Sequence, residues 1–166
     1  FVAGQQVNFH GMLYVIPTVV DWPGTIIAVN LGGALIPTLL ALYLWIRNRL
    51  YWRGLVAVLG VTIVCHLMAE PVRGVGIAEP LYVPLAATAV LALLLSRRYA
   101  APLAYIGGTL GTLIGADLLN LGKVGGLGVP VASIGGAGTF DGVFLTGILA
   151  VLLASLVQFG ERLAER

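Results

Sequence analysis

Two aspartates, Asp117 and Asp141, bracket a glycine-rich stretch, GADLLNLGKVGGLGVPVASIGGAGTFDG, that runs from Gly115 to Gly142. One lies near the end of an apolar run and the other at the start of the next. Ionisable side chains in apolar, membrane-length segments are costly, which marks both as functional candidates. Two carboxylates brought together can share a proton, so that one activates water while the other serves as an acid. The same oxygen donors suit a hard cation or a proton. Asp117 and Asp141 are therefore the candidate catalytic pair. With Asn120, His66 and Glu70 they are also the candidate metal ligands, and His66 could alternatively relay protons. Asn30 and Asn120 complete a candidate polar site within the membrane.

Each residue also has a plainer role open to it. Asp141, with Thr139, opens a helix and can cap its free N–H groups. Asn30 can hydrogen-bond a neighbouring helix. His66 can sit at a helix C-terminus near water. Asp117 can bond Asn30 or a backbone N–H as readily as it can react. Cys65 is the single cysteine, which excludes an internal disulfide and a cysteine-cluster metal site. The chain has no HExxH, GxSxG, P-loop or CxxC motif, and no cofactor is inferred.

The elements that position these residues follow from composition. Of 166 residues, 59% are hydrophobic and only 10% charged, against about 25% charged in a soluble domain. Lipid must therefore be the solvent for much of the surface. A net charge of +2 on scattered basic residues argues against nucleic acid as a partner. The expected fold is all-α, a polytopic transmembrane bundle in one domain over 1–166, with about five spans at 24–46, 54–68, 80–96, 101–121 and 140–159. Pro37 and the pair Gly32–Gly33 predict a kink in the first span. Residues 1–23 hold two prolines and read as a short strand or an interfacial segment, and a start at Phe1 reads as a fragment or a processed form. The glycine-rich loop between spans four and five could be re-entrant, dipping back into protein that satisfies its backbone.

Gly107, Gly111 and Gly115 recur every four residues and make a smooth ridge for close helix packing, with Thr109, Asp117 and Asn120 on a separate polar side. The ridge offers a surface for a homo-oligomer or for other membrane subunits. Arg47, Arg49, Arg53, Arg97, Arg98, Arg162 and Arg166 gather at alternate ends of the spans, while the other loops hold only Arg73 and Lys123. The positive-inside rule then places the N-terminus outside and the C-terminus in the cytoplasm of an inner membrane. Asp21, Glu70, Glu79, Asp117 and Asp141 all fall toward the outer ends.

The strings NLGGALIP, PVRGVGI, GADLLNL and GGAGTFDG resemble an uncharacterised family of prokaryotic multi-spanning membrane proteins, a domain of unknown function. That resemblance covers the chain from about Asn30 to the fifth span, implies an inner-membrane protein and names no activity. A more distant resemblance is to the presenilin and prepilin-peptidase type of membrane aspartyl protease, which implies Asp117 and Asp141 as its two aspartates. Here Thr139 and Phe140 separate Gly138 from Asp141, and no Pro-Ala-Leu follows. Three functional classes result: a membrane protein with an ion- or proton-binding polar site, an intramembrane aspartyl protease, or an accessory subunit of a larger assembly.

Overall fold

The structure is a computed structural model, and it describes residues 2–9, 12–18, 25–73, 76–80, 82–125, 127–136 and 142–164. It is mostly helical. Asn30 caps a five-residue π-turn, Leu31–Leu35, that runs into α1, Ile36–Arg47. Then come α2, Tyr51–Met68, and α3, Tyr82–Leu95. Next is α4, Ala100–Thr112, continued by a π-turn, Leu113–Asp117, a 3-10 turn, Leu118–Asn120, and the short α5, Leu121–Val124. The last helix is α6, Gly142–Ala164.

The expectation of an all-α chain is corrected by three two-stranded sheets. β1, Val2–Phe9, pairs antiparallel with β2, Met12–Thr18. β3, Ile26–Val29, pairs in parallel with β6, Val131–Ile134. β4, Glu70–Val72, and β5, Gly76–Ala78, form an antiparallel pair between the second and third expected spans. The first expected span is therefore divided. Its opening residues, Ile-Ile-Ala-Val, are rich in β-branched types that favour a pleated strand, and Pro37 sits in the first turn of α1, where its missing N–H costs nothing. The glycine-rich segment likewise contains a strand rather than only an irregular loop. Parallel strands need a long crossover, and here the crossover is the helical bundle from α1 to α5. The β3–β6 pair thus ties the entry of that bundle to its exit.

Two described helices, Tyr51–Met68 and Ala100–Val124, are long and apolar enough to cross a membrane, and Leu31–Arg47, Tyr82–Leu95 and Leu145–Val157 are shorter apolar helices. The centre is α4, buried on every side from Leu103 to Leu113, with α1, α2, α3 and α6 packed around it. The side that carries Thr109 is covered by other helices like the rest. The interior is built from small side chains, among them Ala41, Ala57, Ala92, Ala104, Ala150 and Ala154. Large apolar side chains point outward instead: Ile46 is 63% exposed, Leu67 71% and Leu94 77%. In water that distribution would forgo about 2 kcal/mol for each large side chain left outside. In lipid it forgoes nothing, and small interior residues let the backbones approach.

The glycine ridge shows that approach. A Cβ on Gly107 would lie 3.1 Å from Ala57 Cβ, on Gly111 2.5 Å from Val61 Cβ, and on Gly115 2.5 Å from the Thr62 carbonyl oxygen and 2.8 Å from Cys65 Cβ. The ridge climbs α2 and α4 in step, so the two helices run parallel. Gly107, Gly111 and Gly115 are consumed inside the chain, which removes them as a surface for another subunit. The turn from α1 to α2 is closed by Trp45, whose Nε1 donates to the carbonyls of Leu50 at 3.0 Å and Tyr51 at 3.2 Å. Arg49 takes a positive φ of 51° there.

Candidate functional site

The π-turn Leu113–Asp117 ends α4's regular winding and carries Asp117 toward the β3–β6 sheet. One extra residue in a helical turn rotates the succeeding residues by roughly 100° relative to regular winding. Asp117 Oδ2 accepts the Gly135 N–H at 2.7 Å, just past β6. Gly135 and Gly136 both hold left-handed φ values, 82° and 86°. A Cβ on Gly135 would lie 2.6 Å from the Ala34 nitrogen, so backbone conformation and space both require glycine there.

Asn30 completes the same junction from the other strand. Its Oδ1 accepts from Gly32 N–H at 2.9 Å and Gly33 N–H at 3.2 Å, and its Nδ2 donates to the Gly136 carbonyl at 3.1 Å. Asn30 is thus a helix cap and a cross-link between the NLGG and IGG segments. Asn30→Ala is expected to lose about 2 kcal/mol, one cap plus one long-range hydrogen bond. Asn30→Asp, which keeps the acceptor and loses the donor, should lose about half of that. Reversible unfolding in detergent distinguishes the two.

A second acid, Glu79, feels the Asp117 charge. Glu79 stands between β5 and α3, outside the helices, and is half-buried. The Cys65 thiol of α2 interacts with its carboxyl group, and Asp117 acts on it through its charge. The Cys65 Sγ also lies 3.5 Å from Thr112 Oγ1 on α4, with either atom able to donate. Glu79 Oε1 is buried with no hydrogen-bond partner. Burial, with the Asp117 charge adding to it, pushes the Glu79 carboxyl up to about 7, against a lowering by the Cys65 thiol. Glu79, Cys65 and Thr112 therefore form a polar chain between the β4–β5 hairpin, α2 and α4, and Asp117 acts on it through its charge.

The other expected site residues fall differently. Asn120 is fully buried, but its Nδ2 donates to the Gly115 and Ala116 carbonyls, both at 3.0 Å, and its Oδ1 accepts from Lys123 Nζ at 2.7 Å. It satisfies the carbonyls that the π-turn frees, and its amide and carbonyl are already occupied. His66 lies in the last turn of α2, with Nδ1 buried and unpartnered. Glu70 is exposed on β4. Among the described residues, no three His, Cys, Asp or Glu side chains gather to hold a metal ion. Asp141 lies outside the described residues, so the Asp117–Asp141 pairing does too.

The sequence placed Glu79 among the outer acids without assigning it to a site, and Cys65 entered only as a lone cysteine. The signal available for Glu79 was its position one residue before Pro80, at the head of an apolar helix. Nothing local marks Cys65.

No curated protein and no solved structure matches the chain. Residues 2–153 match the family model described as Protein of unknown function (DUF1614). That match extends over the β1–β2 hairpin, the β3–β6 junction, the Asp117–Glu79 cluster and the first half of α6, so the chain belongs to this family of unknown function.

Proposed function

We propose that this is a polytopic inner-membrane protein whose bundle holds a proton on a carboxylate pair, Glu79 and Asp117, at its non-cytoplasmic end. The observation that supports the reading is a poorly solvated Glu79 carboxyl, with Oε1 buried and unpartnered, on which the Asp117 charge also acts. Two like charges there repel, so the pair favours binding a proton or a small cation. A thiol and a threonine hydroxyl beside it are neutral donors that can follow either protonation state.

The membrane setting is supported by the outward-facing Leu and Ile side chains and by the charges. Arg47, Arg49 and Arg53, with Arg97 and Arg98, sit at the end of the bundle opposite the cluster. The positive-inside rule assigns that end to the cytoplasm. α1 to α4 and α6 serve as the five spans in this reading. α3 has 14 residues, about 21 Å of helix against a hydrocarbon thickness of about 30 Å. The paired strands β3–β6 and β4–β5 then carry the outer end, since their backbone groups are bonded to each other.

A second reading, a packing subunit of a larger membrane assembly, is favoured by the Asp117–Gly135 bond, which by itself is structural. An aspartyl protease would use Asp141, which lies outside the described residues. Infrared titration of the purified protein in nanodiscs separates the proposals. Proton binding predicts a carboxyl band in the wild type that is lost near pH 7, as burial of Glu79 requires. Glu79→Gln should abolish it, and Asp117→Asn should lower its midpoint by removing the neighbouring charge. A wild type with no carboxyl titrating above the ordinary range would sink the proton-binding reading and leave the packing subunit.

A further inference from the structure

Beneath the carboxylates, α4 carries Tyr105, Thr109 and Thr112 at spacings of four and three, which puts them along one side of the helix. Thr112 meets the Cys65 thiol at 3.5 Å, and that thiol interacts with Glu79. One turn further from the carboxylates, Thr109 faces α6. A Cβ on Gly147 would lie 2.5 Å from Thr109 Oγ1 and 3.5 Å from the Tyr105 ring. The Tyr105 phenol and the Thr109 hydroxyl are neighbours.

Three other helices bring hydroxyl residues to this one. Thr88 of α3 and Thr146 of α6 close on Gly108, where a Cβ would lie 3.1 Å from Thr88 Cγ2 and 3.3 Å from the Thr146 carbonyl. Thr62 of α2 lies against Gly111 and Gly115. Thr62, Thr88 and Thr146 are 8%, 1% and 0% exposed, and their hydroxyls have no hydrogen-bond partner. A helical threonine ordinarily satisfies itself on the carbonyl one turn back. An orphaned buried hydroxyl is costly and calls for a partner such as ordered water. Orphans contributed by α2, α3 and α6 around one central helix, continuous with the cluster that holds Glu79, are hard to attribute to packing.

We propose that the hydroxyls of Thr62, Thr88, Thr109, Thr112, Thr146 and Tyr105 line a hydrated file along α4, through which protons pass between the Glu79–Asp117 pair and the arginine-bearing end of the bundle. The proposal rests on the proton-binding reading above. In each step a hydroxyl or water gives its own proton to the next oxygen as it accepts one from the oxygen behind. Every O–H bond broken is matched by one formed, no oxygen is left ionised, and one proton is moved. No oxidant or cofactor is needed.

The test is proton flux into potassium-loaded vesicles with valinomycin, read by an internal pH dye, for the wild type and for Thr88→Val/Thr146→Val and Thr109→Val. Valine keeps the shape of threonine and removes the oxygen. The expected result is a fall in flux of at least about tenfold, the effect of roughly one lost proton-transfer partner, with the infrared titration of Glu79 unchanged. Flux equal to wild type, with that titration intact, overturns the file and leaves the carboxylate reading standing. Wild-type flux no greater than in protein-free vesicles also overturns it, and a wild type without carboxyl titration removes both. Thermal unfolding gives a second readout that needs no transport. Dry orphans would make the valine variants melt several degrees higher, against the proposal, whereas hydrated ones leave the melting temperature unchanged or lower.

Discussion

Gly115→Val is expected to disrupt the outer half of the bundle. Replacing a helical glycine with a better helix former ordinarily gains up to about 1 kcal/mol. At Gly115 that gain is overridden, because a Cβ would lie 2.5 Å from the Thr62 carbonyl oxygen and 2.8 Å from Cys65 Cβ. A backbone oxygen cannot swing aside as a side chain can, so α2 and α4 must separate. Overpacking of this kind costs about 1–3 kcal/mol and sometimes more. Valine, with two further methyl groups, belongs at or above the upper limit. The separation would also break the 3.5 Å Cys65–Thr112 contact and disturb the surroundings of Glu79, which that thiol touches. Reversible unfolding in mixed micelles should show a loss of at least about 3 kcal/mol, together with loss of the Glu79 titration. Gly122→Ala is the control. A Cβ there meets nothing within 4 Å, so that variant should be neutral or slightly more stable. Equal stability for Gly115→Val and the wild type would show that α2 and α4 are not in register as described.

The second large effect concerns pH. Glutamate in water loses its proton near 4.5, whereas burial and the Asp117 charge hold the Glu79 proton until about 7. Between those values the folded protein binds more protons than the unfolded chain, so stability falls as pH rises through the window. Below pH 4.5 both states are protonated and the group is neutral in the balance. Above pH 7 the full cost of an ionised, half-buried carboxylate is present, up to about 3 kcal/mol. Glu79→Gln removes the ionisation and keeps the shape. It should match the wild type at pH 4.5 and exceed it by up to about 3 kcal/mol at pH 8. Asp117→Asn should recover part of the same gain by removing the repelling charge, offset by a weaker bond to the Gly135 N–H. Parallel unfolding curves at the two pH values check this. A stability difference that does not change with pH would mean that Glu79 titrates as it does in water.

How much of this was legible in the sequence differs from residue to residue. Positions of the apolar helices followed from hydropathy alone, because run length and lack of charge are local properties. The end of the chain's helices that carries Arg47, Arg53, Arg97 and Arg98 was equally plain. Asn30 stood out as a polar residue that must find partners, but which partners could not be read, since Gly136 is 106 residues away. The Gly107–Gly111–Gly115 ridge announced close packing without saying against what. Its partner proved to be α2 of the same chain, because the α2–α4 pairing is parallel and the residues facing it, Ala57, Val61 and Cys65, rise in the same four-residue steps.

Asp117 was recognised as costly from its setting, and a backbone N–H was one partner open to it; the structure supplies that of Gly135. Helical periodicity grouped it with Thr109 and Asn120, while the π-turn at Leu113–Asp117 directs it to the Gly135 N–H. No local propensity announces a π-turn, which is held by the freed carbonyls of Gly115 and Ala116 finding Asn120. The strands β3 and β6 were missed for a related reason. Each has four residues, too few to show a period, and each is stable only because the other is brought beside it. Composition and apolar run length, being sums over neighbours, thus determined by themselves that this chain is helical, apolar on its surface and sided in its charge. Which acids meet, which glycines touch and which hydroxyls are stranded were decided only by the tertiary structure, because those contacts join residues whose positions along the chain carry no mutual signal.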